Sequence, residues 1–382
     1  MAKGAYVGIN GVAHKIKGGY VGVSDTAQKI KKAYVGIGGV ARPCWGGEGK
    51  PEYYGVVSKL TYSRNSPGGG FVGDYCVIAG GYAPGSHTNC VTYVEAYSSN
   101  LTHSVLDPLT TAMAPTSSTV GDYLLMTGVN ATSVMQTYSR QLVRGTAPSL
   151  SVVRNYAAGV RHANYALFAG GYNGTILNMK DTGYIDAYSA SLVRNSLAKL
   201  PNPPGFLNST TGDIIGDGGA LTYSSFESNS APTLLMYDAT LVRATRSNPF
   251  TPARAAAVAA RTTNHIIFSG SADLTYDSAK NLASEALDEK FVLHAIEPLT
   301  PPAEVTSNPS TPGAGRNWAF IVIGFYGDSG YISCLENLYS RELVHSAMSD
   351  LTVDHIPNLV RSNEKLILCV GVNNEVVAYK IS

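Results

Sequence analysis

One pattern recurs seven times along the 382-residue chain: an apolar run that starts beside a polar residue and ends at glycine. Four copies are close: Asp74-Tyr-Cys-Val-Ile-Ala-Gly80, Asp122-Tyr-Leu-Leu-Met-Thr-Gly128, Asn164-Tyr-Ala-Leu-Phe-Ala-Gly170 and Asn264-His-Ile-Ile-Phe-Ser-Gly270. Looser copies span Asp213 to Gly219, Asn317 to Gly324 and Glu364 to Gly371. The starts lie 42 to 53 residues apart. A unit of this size cannot bury its own faces, so the copies have to stack on one another.

The unit reads as strands. Charged residues are only 14% of the chain, whereas Gly (40) and Tyr (24) are frequent. That balance, with much Ser, Thr and Val, predicts short strands and turns rather than helices. The best helix candidate is Ala279 to Glu289, inside a long loop. Each unit is expected to hold an inner strand, the apolar strand, a third strand ending in tyrosine, and an outer strand. The third-strand residues are Tyr97, Tyr138, Tyr188, Tyr237, Tyr339 and Tyr379, with His294 in the fifth slot. A tight turn to leucine follows: Ser98 to Leu101, Ser139 to Leu142, Ser189 to Leu192, Asp238 to Leu241 and Ser340 to Leu343. Ser and Asp suit it because their oxygens can accept a backbone N–H two residues on. Four antiparallel strands in each of seven units predict an all-β, seven-bladed β-propeller over residues 53–382. The last unit stops one strand short at Tyr379-Lys-Ile-Ser382, and Met348-Ser-Asp-Leu-Thr352 matches Val57-Ser-Lys-Leu-Thr61. Residues 53–59 are therefore expected to supply the missing outer strand and close the ring.

Residues 1–45 carry a shorter repeat: Ala5-Tyr-Val-Gly-Ile9, Gly19-Tyr-Val-Gly-Val23 and Ala33-Tyr-Val-Gly-Ile37, spaced by 14. Asn10-Gly11 and Gly38-Gly39 are two-residue hairpin signals. Isolated hairpins are marginal in water, so this module is expected to complete itself against another subunit or a partner. Residues 46–52 read as a linker.

The net charge of +1 hides an asymmetry: residues 1–50 hold eight Lys/Arg against two acids, the rest 20 against 25. The lysines fit the solvent faces of small strands, although a basic terminus also suits an acidic partner. No leader-like or membrane-length apolar run is apparent, which predicts synthesis in the cytoplasm without a signal peptide and no membrane insertion. The five cysteines include no Cys-x-x-Cys pair, and Cys76 and Cys369 sit inside apolar strands; neither a disulfide framework nor a zinc site is expected. His103, Arg144, Arg194, Arg243 and His345 share one outer-strand position. Positive side chains there discourage strand addition at the sheet edge, and a polyanion-binding ring is the other reading.

Gly80-Gly81 and Gly170-Gly171, each with a downstream tyrosine, are similar to kelch repeats, although the usual outer-strand tryptophan is absent and the other units are degenerate. The stretch Ala5-Tyr-Val-Gly-Ile-Asn-Gly-Val-Ala-His-Lys-Ile-Lys17, echoed from Ala33 to Arg42, resembles tandem units at the start of phage and prophage tail proteins of Gram-positive bacteria. Some of those proteins also carry units like Asn164-Tyr-Ala-Leu-Phe-Ala-Gly-Gly-Tyr172. The resemblance implies a virion tail, fibre or baseplate protein, bound to other tail proteins through residues 1–50 and oligomeric, with a trimer implied by the resemblance and the thin hairpins together. It also implies contact with a host cell-surface glycan or protein.

The histidines are scattered, without a His-x-x-x-His pair, and there is no Gly-x-Ser-x-Gly elbow or phosphate-binding loop. No catalytic residue, metal, cofactor or nucleic-acid partner is predicted, and the chain reads as a binding protein rather than an enzyme. A purely structural tail component and a glycan depolymerase stay open. Recognition is expected in the loops between second and third strands, which are long at 82–90, 172–183, 223–232 and 271–287 and minimal in the second and seventh units. Candidate contact residues are Tyr82, His87, Asn89, Tyr172, Asn173 and Tyr276.

Overall fold

A computed structural model describes the strands of residues 6–45 and most of residues 51–381. Outside the described residues lie chiefly 174–179, 202–206, 226–232, 252–257, 271–282, 300–308, 327–331 and 348–358. Met1–Lys50 and Pro51–Ile381 fall into separate compact units.

In the first unit three antiparallel hairpins follow one another: Tyr6–Ile9 with Val12–Lys15, Gly19–Val23 with Thr26–Ile30, and Ala33–Ile37 with Val40–Trp45. Each 14-residue repeat is thus one hairpin.

The second unit is a β-propeller. Among the described residues its strands form seven four-stranded antiparallel sheets. The innermost strands are Gly68–Val72, Ala114–Val120, Ala158–Arg161, Leu207–Ile215, Val258–Arg261, Pro309–Ala314 and Leu359–Ser362. Each adjoins the next, and the last adjoins the first, so the sheets close into a ring. Six of the seven apolar runs are the second strand of a sheet; Asp213 to Gly219 instead covers the end of the inner strand Leu207–Ile215 and the turn into Gly218–Ser225, which is the second strand there. Cys76, Val77, Ile78 and Ala79 are at most 1% exposed because both faces of the sheet pack on neighbouring sheets. Burial on both sides explains a continuous apolar run where a half-buried strand would alternate. The second residue of each double glycine has a steric cause: Gly81 (φ +105) and Gly171 (φ +88) would each bring a Cβ to 2.5 Å from a connector carbonyl, that of Asn65 or Asn155.

The repeated tyrosine is a clasp between sheets. Tyr188 is fully buried, and its hydroxyl donates to the Pro148 carbonyl (2.8 Å), on the connector that enters its own sheet. Tyr97 does the same to Ser58 (2.5 Å), Tyr339 to Glu297 (2.7 Å) and Tyr138 to Asp107. Two residues earlier a polar side chain caps the same connector. Glu95 accepts the Thr61 amide (2.7 Å), Gln136 that of Thr110 (2.6 Å), Asp186 that of Ser151 (3.1 Å) and Glu285 that of Thr251 (2.9 Å). In the first and third sheets a fully buried arginine joins in: Arg64 to Glu95 (3.1 Å) and Arg154 to Asp186 (2.9 Å). The outer-strand arginines serve the connectors too. Arg243 donates to the Ala198 and Lys199 carbonyls (3.1 and 2.7 Å), and Arg144 and Arg194 reach Pro108 and Ser149. These guanidiniums bridge neighbouring sheets, a role that neither sequence reading of that position included.

Three local expectations are corrected. Ser284–Asp288, inside the segment read as helical, is the third strand of the fifth sheet, and no helix occurs among the described residues. Burial of Ser284, Glu285, Ala286 and Leu287 on both faces overrides their helix-compatible spacing. His294 lies in the outer strand Leu293–Ala295, and Leu287 occupies the tyrosine slot. The strand that pairs with Val376–Ile381 is Pro51–Val56, so it starts two residues earlier than 53 and ends before 59. Glu52 faces Lys380 and Pro51 faces Ile381, which takes both residues out of the 46–52 linker.

Candidate functional site

The connectors entering each sheet and the loops between second and third strands emerge at one end of the ring. The double glycine fixes the residue after it against the connector. Tyr82 exchanges both backbone hydrogen bonds with Asn65 (2.8 and 2.8 Å), and Tyr172 does so with Asn155 (2.8 and 3.0 Å). The next connector residue is driven into the left-handed region, φ 47 at Ser66 and φ 55 at Tyr156. In the third sheet that turn displays a tyrosine, which is 53% exposed.

Three tyrosines meet there. The Tyr82 and Tyr156 hydroxyls are 3.2 Å apart, and the Tyr156 ring stacks on Tyr172 with centroids 5.5 Å apart and planes at 20°. The cluster thus joins the first sheet to the third. Burial, and then the neighbouring Tyr156 phenol, push the Tyr82 hydroxyl well above its ordinary range; burial raises Tyr172 in the same way. Both stay neutral phenols near pH 7. A second aromatic pair lies on the first sheet. Tyr62 and Tyr93 stack at 4.2 Å and 12°, and both are more than one-third exposed. Tyr62 is placed by its connector, whose Thr61 and Tyr62 amides both donate to the buried Glu95 carboxylate.

Of the residues singled out from sequence, Tyr82 and Tyr172 enter this cluster, linked by Tyr156. Asn173 continues from Tyr172 in a two-residue strand paired with Lys180–Asp181. Asn89 is exposed in a tight loop; its amide donates to Ser86 Oγ (2.9 Å) and its carbonyl accepts from Ala83 (2.8 Å). His87 and Tyr276 lie outside the described residues. Tyr62 and Tyr156 lie on connectors, which the loop reading leaves out, and Tyr93 lies in the first long loop just past its 82–90 bounds. The parallel between Ser63-Arg-Asn-Ser66 and Val153-Arg-Asn-Tyr156 is the signal that finds Tyr156.

An exposed ring that also carries a neutral hydroxyl can stack on the apolar face of a sugar and bond its hydroxyls. No group of three His, Cys, Asp or Glu side chains suited to a metal occurs among the described residues.

No family model and no curated protein matches the sequence. Solved structures share the fold. A streptogramin B lyase is 11% identical with a TM-score of 0.57, covering 88% of this chain and 98% of that one. A catalytically inactive virginiamycin B lyase from Staphylococcus aureus with quinupristin is 11% identical with a TM-score of 0.56, covering 87% and 100%. A selenomethionine form of virginiamycin B lyase from the same organism gives 12% and 0.53, covering 85% and 98%. At this identity the likeness shows the fold alone. It nevertheless corrects one expectation. The sequence predicts a binding protein rather than an enzyme, yet these three structures of the same architecture are of lyases, so the fold is one that carries catalysis.

Proposed function

We propose that this chain is a phage virion tail protein whose propeller contacts a glycan of the host cell surface. On this reading the hairpin repeats of residues 1–50 hold it to other tail proteins and to its own copies. The ring is taken as seven-bladed and kelch-like, supported by its double glycines and its third-strand tyrosines. The observation that carries the proposal is the exposed Tyr156 ring, stacked on the half-buried Tyr172 and anchored by the hydroxyl of the buried Tyr82, with the stacked Tyr62–Tyr93 pair on the same end of the ring. Single exposed aromatics are ordinary, whereas a shared arrangement of stacked rings on connector and loop backbone gives a sugar several parallel faces.

The test is a pull-down of the purified chain on host cell walls. Tyr156→Ala and Tyr93→Ala remove exposed rings with little loss of core, and the double variant should bind at least tenfold more weakly. Unchanged binding by the double variant, with the fold intact by circular dichroism, would refute the recognition face. Soluble saccharide released from the walls would place cleavage chemistry on the protein. Deleting residues 1–50 should abolish incorporation into tails while leaving wall binding in place, and normal incorporation would remove the attachment role.

A further inference from the structure

The innermost strands surround an axial cavity of about 290 Å³. Its walls come from six of the seven sheets. Two guanidiniums and one carboxylate line it: Arg161, Arg361 and Asp213. Asp213 is already committed. It accepts a bidentate pair from Arg161, at 3.0 Å from Nε and 2.7 Å from Nη2, and also the Ile214 amide at 2.7 Å.

Arg361 has no carboxylate. Its Nε donates to the Gly69 carbonyl (2.7 Å) and its Nη1 to the Val360 carbonyl (2.8 Å). Both partners are neutral, and Nη2 has none among the described residues. The other deeply placed arginines of this ring differ, since Arg64 and Arg154 each meet a buried carboxylate on the third strand of their own sheet. Arg361 is half-buried, with Asp213 acting on it only at longer range and against Arg161, and a partly desolvated charge gains by direct pairing. Burial lowers the Arg361 pKa to about 10, which leaves the side chain charged at neutral pH. Thr119 and Thr211, also on the wall, make no side-chain hydrogen bond among the described residues.

We infer that the axial cavity is a binding site for a small oxyanion, a carboxylate or a phosphate group, with Arg361 as its principal ligand. The guanidinium is held in place by two carbonyls and offers Nη2 to an anion oxygen, a charge-assisted bond stronger than a neutral one. Arg161 Nη1 and the Thr119 and Thr211 hydroxyls are the additional donors. The cavity is large enough for a phosphate group or for a monosaccharide that bears a carboxylate. The site is independent of the aromatic face, so failure of wall binding leaves it standing.

The test is isothermal titration of the full chain with inorganic phosphate and, separately, with glucuronate, in a low-salt buffer without competing anions. One-to-one saturable binding of either anion is expected. Phosphate alone identifies a phosphoryl group and glucuronate alone a sugar acid. Arg361→Gln should weaken binding at least tenfold, Arg361→Lys should recover part of it, and Arg140→Gln, at an exposed surface pair, should leave it unchanged. Thr211→Val provides a second probe that keeps every charge, with binding expected to weaken a few-fold. If neither anion binds the wild-type chain, or if a folded Arg361→Gln binds as tightly as wild type, the inference is overturned.

Discussion

Changing a leucine to glycine is normally worse for stability than changing it to alanine, and the outer turns of this ring should reverse that order. Six turns place a large apolar residue in the left-handed region: Leu101 (φ 66), Leu142 (61), Leu192 (60), Leu241 (66), Phe291 (61) and Leu343 (63). In the third sheet, Leu192 donates its amide to the Ser189 carbonyl (2.9 Å), and Ser189 and Val193 close the hairpin (3.0 Å). This is the three-residue hairpin in which glycine is the usual third residue. Leucine stands there because its side chain packs against the core shared by the second and third sheets, beside Leu125, Leu150 and Tyr188. Removing most of a half-buried leucine costs about 1–2 kcal/mol, and alanine and glycine lose that contact alike. Alanine keeps the backbone strain, about 1–2 kcal/mol. Glycine removes it, but ordering the more flexible chain costs about 0.5–1 kcal/mol. Leu192→Gly should therefore be more stable than Leu192→Ala by about 0.5–1 kcal/mol. The adjacent Val193 is exposed and lies outside the left-handed region. There the normal order holds, with Val193→Gly below Val193→Ala by a similar margin. Urea midpoints followed by far-ultraviolet circular dichroism measure all four variants. The same order at both positions would refute the strain argument.

Two further predictions concern buried charge. Asp186→Ala strands the fully buried Arg154 and should cost about 3–5 kcal/mol, while adding Arg154→Met should restore a large part of it, read from denaturant midpoints. His162 is 1% exposed; its Nε2 donates to the Asp238 carbonyl (2.9 Å), and its Nδ1 accepts the Asn164 amide (3.1 Å). Burial lowers its pKa, and protonation would set a proton against that amide. Below pH 6.5 the unfolded chain takes up this proton before the folded one does. Stability should thus fall as pH drops from about 6.5 toward the depressed folded value, by at most about 1.4 kcal/mol per pH unit. His162→Gln should flatten that part of a melting-temperature profile, and an unchanged slope would show that another group is responsible.

The ring was legible because its repeating unit contains a strand buried on both faces. A run such as Cys76 to Ala79 has no polar option on either side, so the pattern survives where other positions drift. The third-strand tyrosine was visible as a repeat, but its task was not. Tyr188 meets the Pro148 carbonyl 40 residues away, and nothing in the local sequence of either names the other. The Arg64–Glu95 pair was hidden for the same reason, as neither residue carries a local sign of its partner. Ser284 to Leu287 misled because Ala283, Ala286 and Leu287 fit a helical stripe, and only two-sided packing separates the cases. At the loop end, Tyr82 and Tyr172 could be found from the glycines before them. Tyr156, which joins them, sits in a connector made visible only by comparing two arginine-containing entries into the ring.

The sheet completed by Pro51–Val56 and Val376–Ile381 imposes an order on biosynthesis. The first ring strand to leave the ribosome waits for the last, about 300 residues later, which at roughly 5–20 residues per second is an interval of tens of seconds. Throughout that time the outermost place in the seventh sheet has no occupant, and residues 51–56 have no edge to join. Six sheets can form as translation proceeds, but a nascent chain truncated before Val376 cannot shut the circle. Completion of the ring therefore reports that translation has passed Ile381, and a product terminated before Val376 would present an open sheet edge to chaperones and proteases.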